Sequence, residues 1–332
     1  MKKILMLPCL LIFGIIVLTT TGMRSAGPPQ VTISNGIIEA KLYLPDVKEG
    51  YYRGSRFDWS GVISSLKYKG HQYHGQWFQN YNPTTHDAIM GPVEEFAPLR
   101  YDEAKTGETF VKIGVGSLIK PAEQQYAFSK SYTIADPGKW KVNTKSNEVQ
   151  FLHSFVDKEY GYAYTKTVKL IKGKPQMVLA HELTNKGTRT MQTTVYNHHF
   201  FVIDNQPTGP GYEITLPVSN LSAEGGKGVG DVVQLQGNKI VYLRNLAQRE
   251  QAYFPDLAGG VDMTYDITVE HLKTGAGVKI KGDRPVSKMV FWSSPTNVSP
   301  EPYLNILLEP GKTFTWKINY EYYTISDSKV KK

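Results

Sequence analysis

The chain has 332 residues, 40% hydrophobic and 12% aromatic, with 30 Gly, 19 Pro and a formal net charge of +8. That is ample for a packed core, and too polar and Pro-punctuated for a multi-span membrane protein. The positive charge is spread out, with no basic run before the Lys329–Lys332 tail, so nucleic-acid binding has no support.

The first residues read as an export signal. Met1-Lys2-Lys3 is a basic start, Ile4–Leu18 is an uncharged apolar run, and Thr19–Gly22 is small and polar. A cut after Gly22 fits the small-residue rule better than one after Ala26, where Arg24 occupies a small-residue position. The stretch from Ile4 to Met23 is also long enough to serve as an uncleaved anchor, but cleavage is the expectation. It makes the protein exported, periplasmic or secreted, with no stable membrane insertion afterwards. Cys9 is the only cysteine and lies inside this signal, so a disulfide scaffold, a thiolate metal site and cysteine catalysis are excluded for the mature chain. Losing Lys2 and Lys3 takes the formal charge from +8 to +6, a weak pointer to an acidic ligand.

Residues 1–26 are thus signal and linker, and residues 27–332 read as one domain. Strand patterns fill it: Ile37–Leu44, Gly61–Tyr68, Glu108–Val115, Gln125–Ile134, Lys139–Asn143, Glu148–Val156, Tyr160–Ile171 and Met177–Leu183. Thr188–Asp204 follows, and then Glu213–Leu216, Lys239–Arg244, Met263–Glu270, Val278–Lys281, Lys288–Trp292, Tyr303–Leu308 and Thr313–Thr324. Turns such as Asp136-Pro137-Gly138 and Asn185-Lys186-Gly187 separate them. No segment longer than two turns has a helical apolar period, and no repeat of blade length occurs. The expectation is one all-β domain of two large packed antiparallel sheets.

The chemistry centres on Met191–Asp204, MQTTVYNHHFFVID. Two adjacent imidazoles in an apolar, aromatic strand cost desolvation unless they are hydrogen-bonded or used. Strand alternation sends His198 and His199 to opposite faces. Three further clusters surround this strand. Tyr51–Trp59 carries Arg53, Arg56 and Asp58 among aromatics. His86–Phe96 carries a Gly-Pro turn followed by Glu94 and Glu95, for which a solvated pair is the default expectation. Ser299-Pro300-Glu301-Pro302 places a carboxylate between two prolines, which are expected to hold it in a loop outside any ladder. His71, His74, His86, Asp87 and Glu94 match no ligand spacing, so neither a metal nor another cofactor is expected.

Met177–Phe201, with its Asn-x-Gly turn and Asn197-His198-His199-Phe200-Phe201, resembles the central strand pair of the galactose mutarotase-like (aldose 1-epimerase) superfamily. Trp59–Tyr68 and Leu308–Tyr320 match two other family stretches in the expected order, so the resemblance covers about residues 31–324. It implies a β-supersandwich that binds sugar on a concave sheet face. It also implies that His198 is the general acid and a late glutamate the general base, with Glu301 the first match and Glu309 the second. Arg56, Arg53, Glu94, Glu95, Asn197 and Trp292 are the candidate sugar contacts, and Arg56 is closer than Arg53 to the matching strand. The implied function is isomerase chemistry on a small sugar or a glycan end. The alternatives are a non-catalytic carbohydrate-binding accessory protein, or a lyase or hydrolase acting on a modified sugar. A shared cleft that holds His198 and Glu301 about one sugar ring apart would suit acid–base chemistry; opposite faces would leave only a fold resemblance.

Overall fold

The computed structural model describes residues 27–122 and 125–325. The expected signal and the Lys329–Lys332 tail lie outside them. Among the described residues the regular structure is β-strand, with a single short 3-10 turn at Ile203–Asn205.

Two antiparallel layers form the body. One is a ten-stranded sheet in which Gln176–Asn185 sits between Tyr162–Leu170 and Thr313–Thr324. The other joins a four-stranded sheet to a five-stranded one through bridges at His74–Phe201 and Phe201–Val298. A three-stranded sheet completes the fold. The period-2 patterns cause this layering. Along Tyr162–Leu170, Tyr162, Tyr164, Lys166, Val168 and Leu170 are buried, while the residues between them are partly or fully open to solvent. Burying one such face against a second sheet removes its apolar area from water, the main stabilising contribution of a sandwich.

The Asn185-Lys186-Gly187 turn does not close a hairpin, as the strand-pair reading expected. It carries the chain from the ten-stranded sheet across to Met191–His198 in the five-stranded one. The Asn185 amide donates to the carbonyls of Arg189 and Leu308, and its oxygen accepts from the Gly187 N–H. A Cβ on Gly187 would lie 2.0 Å from the Glu159 carbonyl oxygen, so only glycine fits this crossing.

Three other expectations change. Of Gln125–Ile134 only the end becomes a strand, Ile134–Asp136. The Glu94-Glu95 stretch is a strand, Val93–Phe96, paired with Met191–His198. The segment holding both prolines is part of a twelve-residue strand, Asn297–Leu308, rather than a loop. The ladder tolerates Pro300 and Pro302 because of where their missing N–H groups would point. Val298 donates its N–H to Phe201, so Pro300 and Pro302 face the same side. There, the regular ladder with Met191–His198 begins only at Tyr303.

Candidate functional site

Met191–His198 lies between Val93–Phe96 and Asn297–Leu308, and the three strands present alternate side chains to a cavity of about 600 Å³. From the first come Tyr196 and His198, from the second Glu95, and from the third Glu301 and Tyr303. The period-2 geometry that brings these side chains forward sends Asn197, His199 and Glu94 the other way.

His198 and Glu301 share this cavity and touch. His198 Nε2 lies 3.1 Å from Glu301 Oε1, with 3% and 5% of the two residues exposed. This is closer than the ring-width gap expected of two groups flanking one sugar. The other imidazole nitrogen, Nδ1, is 2.6 Å from Ser299 Oγ. That hydroxyl already accepts the backbone N–H groups of His199 and Phe200 at 3.0 and 3.3 Å. With both lone pairs used, its own hydrogen points to Nδ1. The imidazole therefore carries its hydrogen on Nε2, the nitrogen that lies against Glu301.

Burial acts on both members of the pair. It drives His198 well below the ordinary histidine value, helped by the charge of Arg56. It pushes Glu301 up to about 8, against a lowering pull from Arg56. Near neutral pH the pair is a neutral imidazole beside a protonated carboxyl. Among the described residues neither Glu301 oxygen accepts a hydrogen bond, the His198 contact apart, so both can meet a ligand.

The imidazole plane is fixed by aromatic rings. Phe200 stacks on it at 3.5 Å, and Phe57 and Trp292 meet it edge-on, each at 5.7 Å. Phe200 reaches this position through a left-handed backbone, φ 43°, a strained choice for an aromatic residue. Trp77 stacks on the far side of Phe200 at 5.2 Å. With Trp292 and Tyr253 these rings make an apolar wall of the cavity that suits the C–H faces of a sugar.

Glu95 anchors a second group. Arg56 Nε donates to Glu95 Oε2 at 2.6 Å, Arg56 Nη2 donates to Tyr196 Oη at 2.9 Å, and Tyr196 donates to the same carboxylate at 2.5 Å. Lys112 Nζ reaches the other oxygen, Oε1, at 3.1 Å. Burial alone would raise the Glu95 carboxyl, but Lys112 and Arg56 outweigh it and hold it below its usual value.

The candidates thus separate. His198, Glu301, Arg56, Glu95 and Trp292 line one cavity. Asn197 and Glu94 do not, because alternation turns them into the core. There the Asn197 amide donates to Glu94 Oε1 at 2.6 Å. His181 lies 2.9 Å from that oxygen, and Lys166 is bonded to the other. These partners hold Glu94 at about 2 despite burial, so the pair of glutamates is buried rather than solvated. Arg53 points elsewhere and donates to the Lys48 carbonyl. Glu309 is exposed in the turn after its strand. His199 packs in the core, bonded to Tyr320 at 3.0 Å. His71 pairs with Asp204, and His74 is buried against Phe201. Among the described residues no three His, Cys, Asp or Glu side chains converge as a metal site.

Sequence reasoning missed Ser299, Tyr196 and Lys112. Ser299 carried a signal, two positions before Glu301 in a strand, but the flanking prolines argued against a strand. A lysine ending the short run TFVK gave no sign of complete burial.

Two layers of long antiparallel strands with a ring-lined cavity on one of them define a large β-sandwich. Solved structures share this fold. A galactose mutarotase-like protein from Lactobacillus casei is 14% identical, with a TM-score of 0.54 over 89% of this chain and 100% of its own. A galactose mutarotase-like protein from Clostridium acetobutylicum is 14% identical, with a TM-score of 0.54 over 89% and 95%. Galactose 1-epimerase from Lactobacillus acidophilus is 10% identical, with a TM-score of 0.52 over 90% and 95%. No protein-family model and no curated protein matches the chain. The chain has the galactose mutarotase-like β-supersandwich fold.

Proposed function

We propose that this protein is a sugar 1-epimerase, acting on the ring of an aldose or on the reducing end of a glycan. The observation that carries the proposal is the Ser299–His198–Glu301 chain, which ends on a free carboxyl oxygen in a ring-lined cavity. The apolar leader at Ile4–Leu18 supports export, so the sugar would be met outside the cytoplasm.

Anomerisation breaks the bond between C1 and the ring oxygen, gives that oxygen a proton and takes one from the C1 hydroxyl. After rotation of the open aldehyde the steps reverse. A division with His198 as acid and Glu301 as base needs an imidazolium, which burial and the Ser299 hydrogen bond both disfavour. In our reading the Glu301 carboxyl does both tasks. Its Oε2–H protonates the ring oxygen while Oε1 takes the hydroxyl proton, and a protonated carboxyl is restored. His198, 3.1 Å from Oε1, holds that carboxyl in place by contact. Such positioned proton transfer contributes roughly 10²–10⁴-fold.

A second reading, sugar binding without turnover, draws on the 3.1 Å contact that fills the space between the two groups. Exchange between α and β anomers, followed by NMR, decides between them. The wild type should accelerate exchange, and His198→Ala should lose most of the effect. Binding with no acceleration would sink the epimerase reading.

A further inference from the structure

The charges around Glu95 do not balance. Two cations, Arg56 and Lys112, share this one carboxylate. Lys112 is fully buried and has Glu95 and Tyr126 as its partners. Arg56 spends Nε on Glu95 and Nη2 on Tyr196, and its Nη1 has no hydrogen-bond partner among the described residues. The guanidinium lies between the Phe57 and Phe128 rings, at 4.4 and 4.2 Å from their centroids. Water is thereby kept from both of its faces, and its edge is left to the cavity.

The phenols of Tyr196 and Tyr126 stay neutral, because burial pushes both up. Glu301 is largely protonated near neutral pH. Asp87, at the cavity edge, faces His86 at 3.5 Å, but burial lowers His86, so the neutral imidazole leaves that carboxylate as one negative charge. Within the buried cluster itself, two cations meet one carboxylate, an arrangement that is costly in a buried place. Lys227, exposed at the cavity rim and without an ion-pair partner among the described residues, adds a positive charge, so Arg56, Lys112 and Lys227 against Glu95 and Asp87 leave one positive charge over the cavity.

We propose that the sugar taken by this cavity carries a single negative charge, of the kind a hexuronate carboxylate supplies, set on Arg56 Nη1 while the anomeric end meets Glu301. The proposal rests on the reading of the site as a sugar cavity. One charge balances the cavity, whereas a doubly charged phosphate ester would over-balance it. A guanidinium edge with its plane already fixed is suited to a planar carboxylate.

Calorimetric titration of the full-length protein with glucose, glucuronate and glucose 6-phosphate, and with galactose and galacturonate, tests this near neutral pH. The expected result is that a uronate binds at least about tenfold more tightly than its neutral parent, with the margin shrinking as salt is added. Arg56→Gln, checked for folding by circular dichroism, should erase the margin. Lys227→Ala, at an exposed position, should weaken the uronate by about two- to fivefold, and the neutral sugar less. A neutral sugar bound as tightly as its uronate and still anomerised would overturn this inference and leave the epimerase reading standing. Tighter binding of the phosphate ester would overturn the single-charge assignment. Failure of every sugar to bind would overturn both.

Discussion

Replacing Glu301 by Gln keeps the shape of the side chain against His198, but removes the titrating proton. The folded protein holds that proton up to about pH 8, whereas an unfolded chain releases it near 4.3. Between these values the folded state binds more protons than the unfolded one, so this carboxyl lowers wild-type stability as pH rises. The slope is about 1.4 kcal/mol per pH unit, which amounts to about 4 kcal/mol from pH 5 to pH 8. Glu301→Gln has no such loss, and every other titrating group is common to both proteins. Urea unfolding of both at about pH 5, 7 and 9 should therefore show the variant gaining on the wild type by several kcal/mol across the range. A stability difference that stays constant with pH would refute the reasoning. It would mean that the cavity does not hold Glu301 protonated, and the proton-exchange reading would lose its physical basis.

Three further outcomes follow from the geometry. Ser299→Ala removes the acceptor for two backbone N–H groups and the donor to His198 Nδ1. It should cost about 1–3 kcal/mol in denaturant unfolding and let the imidazole change tautomer, seen as altered ¹⁵N shifts of His198. Glu94→Gln leaves buried Lys166 without its counter-charge and should destabilise by about 3–5 kcal/mol. Glu94 faces the core, so anomerisation by the folded fraction of that variant should survive at low temperature. By contrast, Glu301→Gln should lower anomerisation by roughly 100-fold or more while a sugar still binds, as measured by calorimetry.

The parts legible in the sequence were those that depend on local periodicity. Alternation alone separates His198 from His199, because neighbouring strand residues face opposite ways, and the structure places them so. It applies equally to Glu94 and Glu95, but only once Val93–Phe96 is known to be a strand. Four residues following a Gly-Pro turn and holding two carboxylates look like a solvated loop. Their burial depends on Lys112, Lys166 and Arg56 arriving from distant segments, which no local pattern encodes. The proline-flanked Glu301 misled for a related reason. A proline argues against a strand only where its missing N–H is needed, and here the neighbouring strand has already diverged. The crossing at Asn185–Gly187 looked like a hairpin because a turn motif does not say which sheet receives the next strand.

The central claim is that Glu301, held by His198, exchanges protons with a sugar. The pH dependence of α–β anomer exchange, followed by NMR from about pH 5 to pH 10 and corrected for the spontaneous reaction, tests it most directly. If the protonated Glu301 carboxyl is the working form, the catalysed rate stays level while that form persists. Above about pH 8 it then falls about tenfold per unit. A rate that climbs through the same range would show an ionised base at work, and no catalysis at any pH would contradict the account outright.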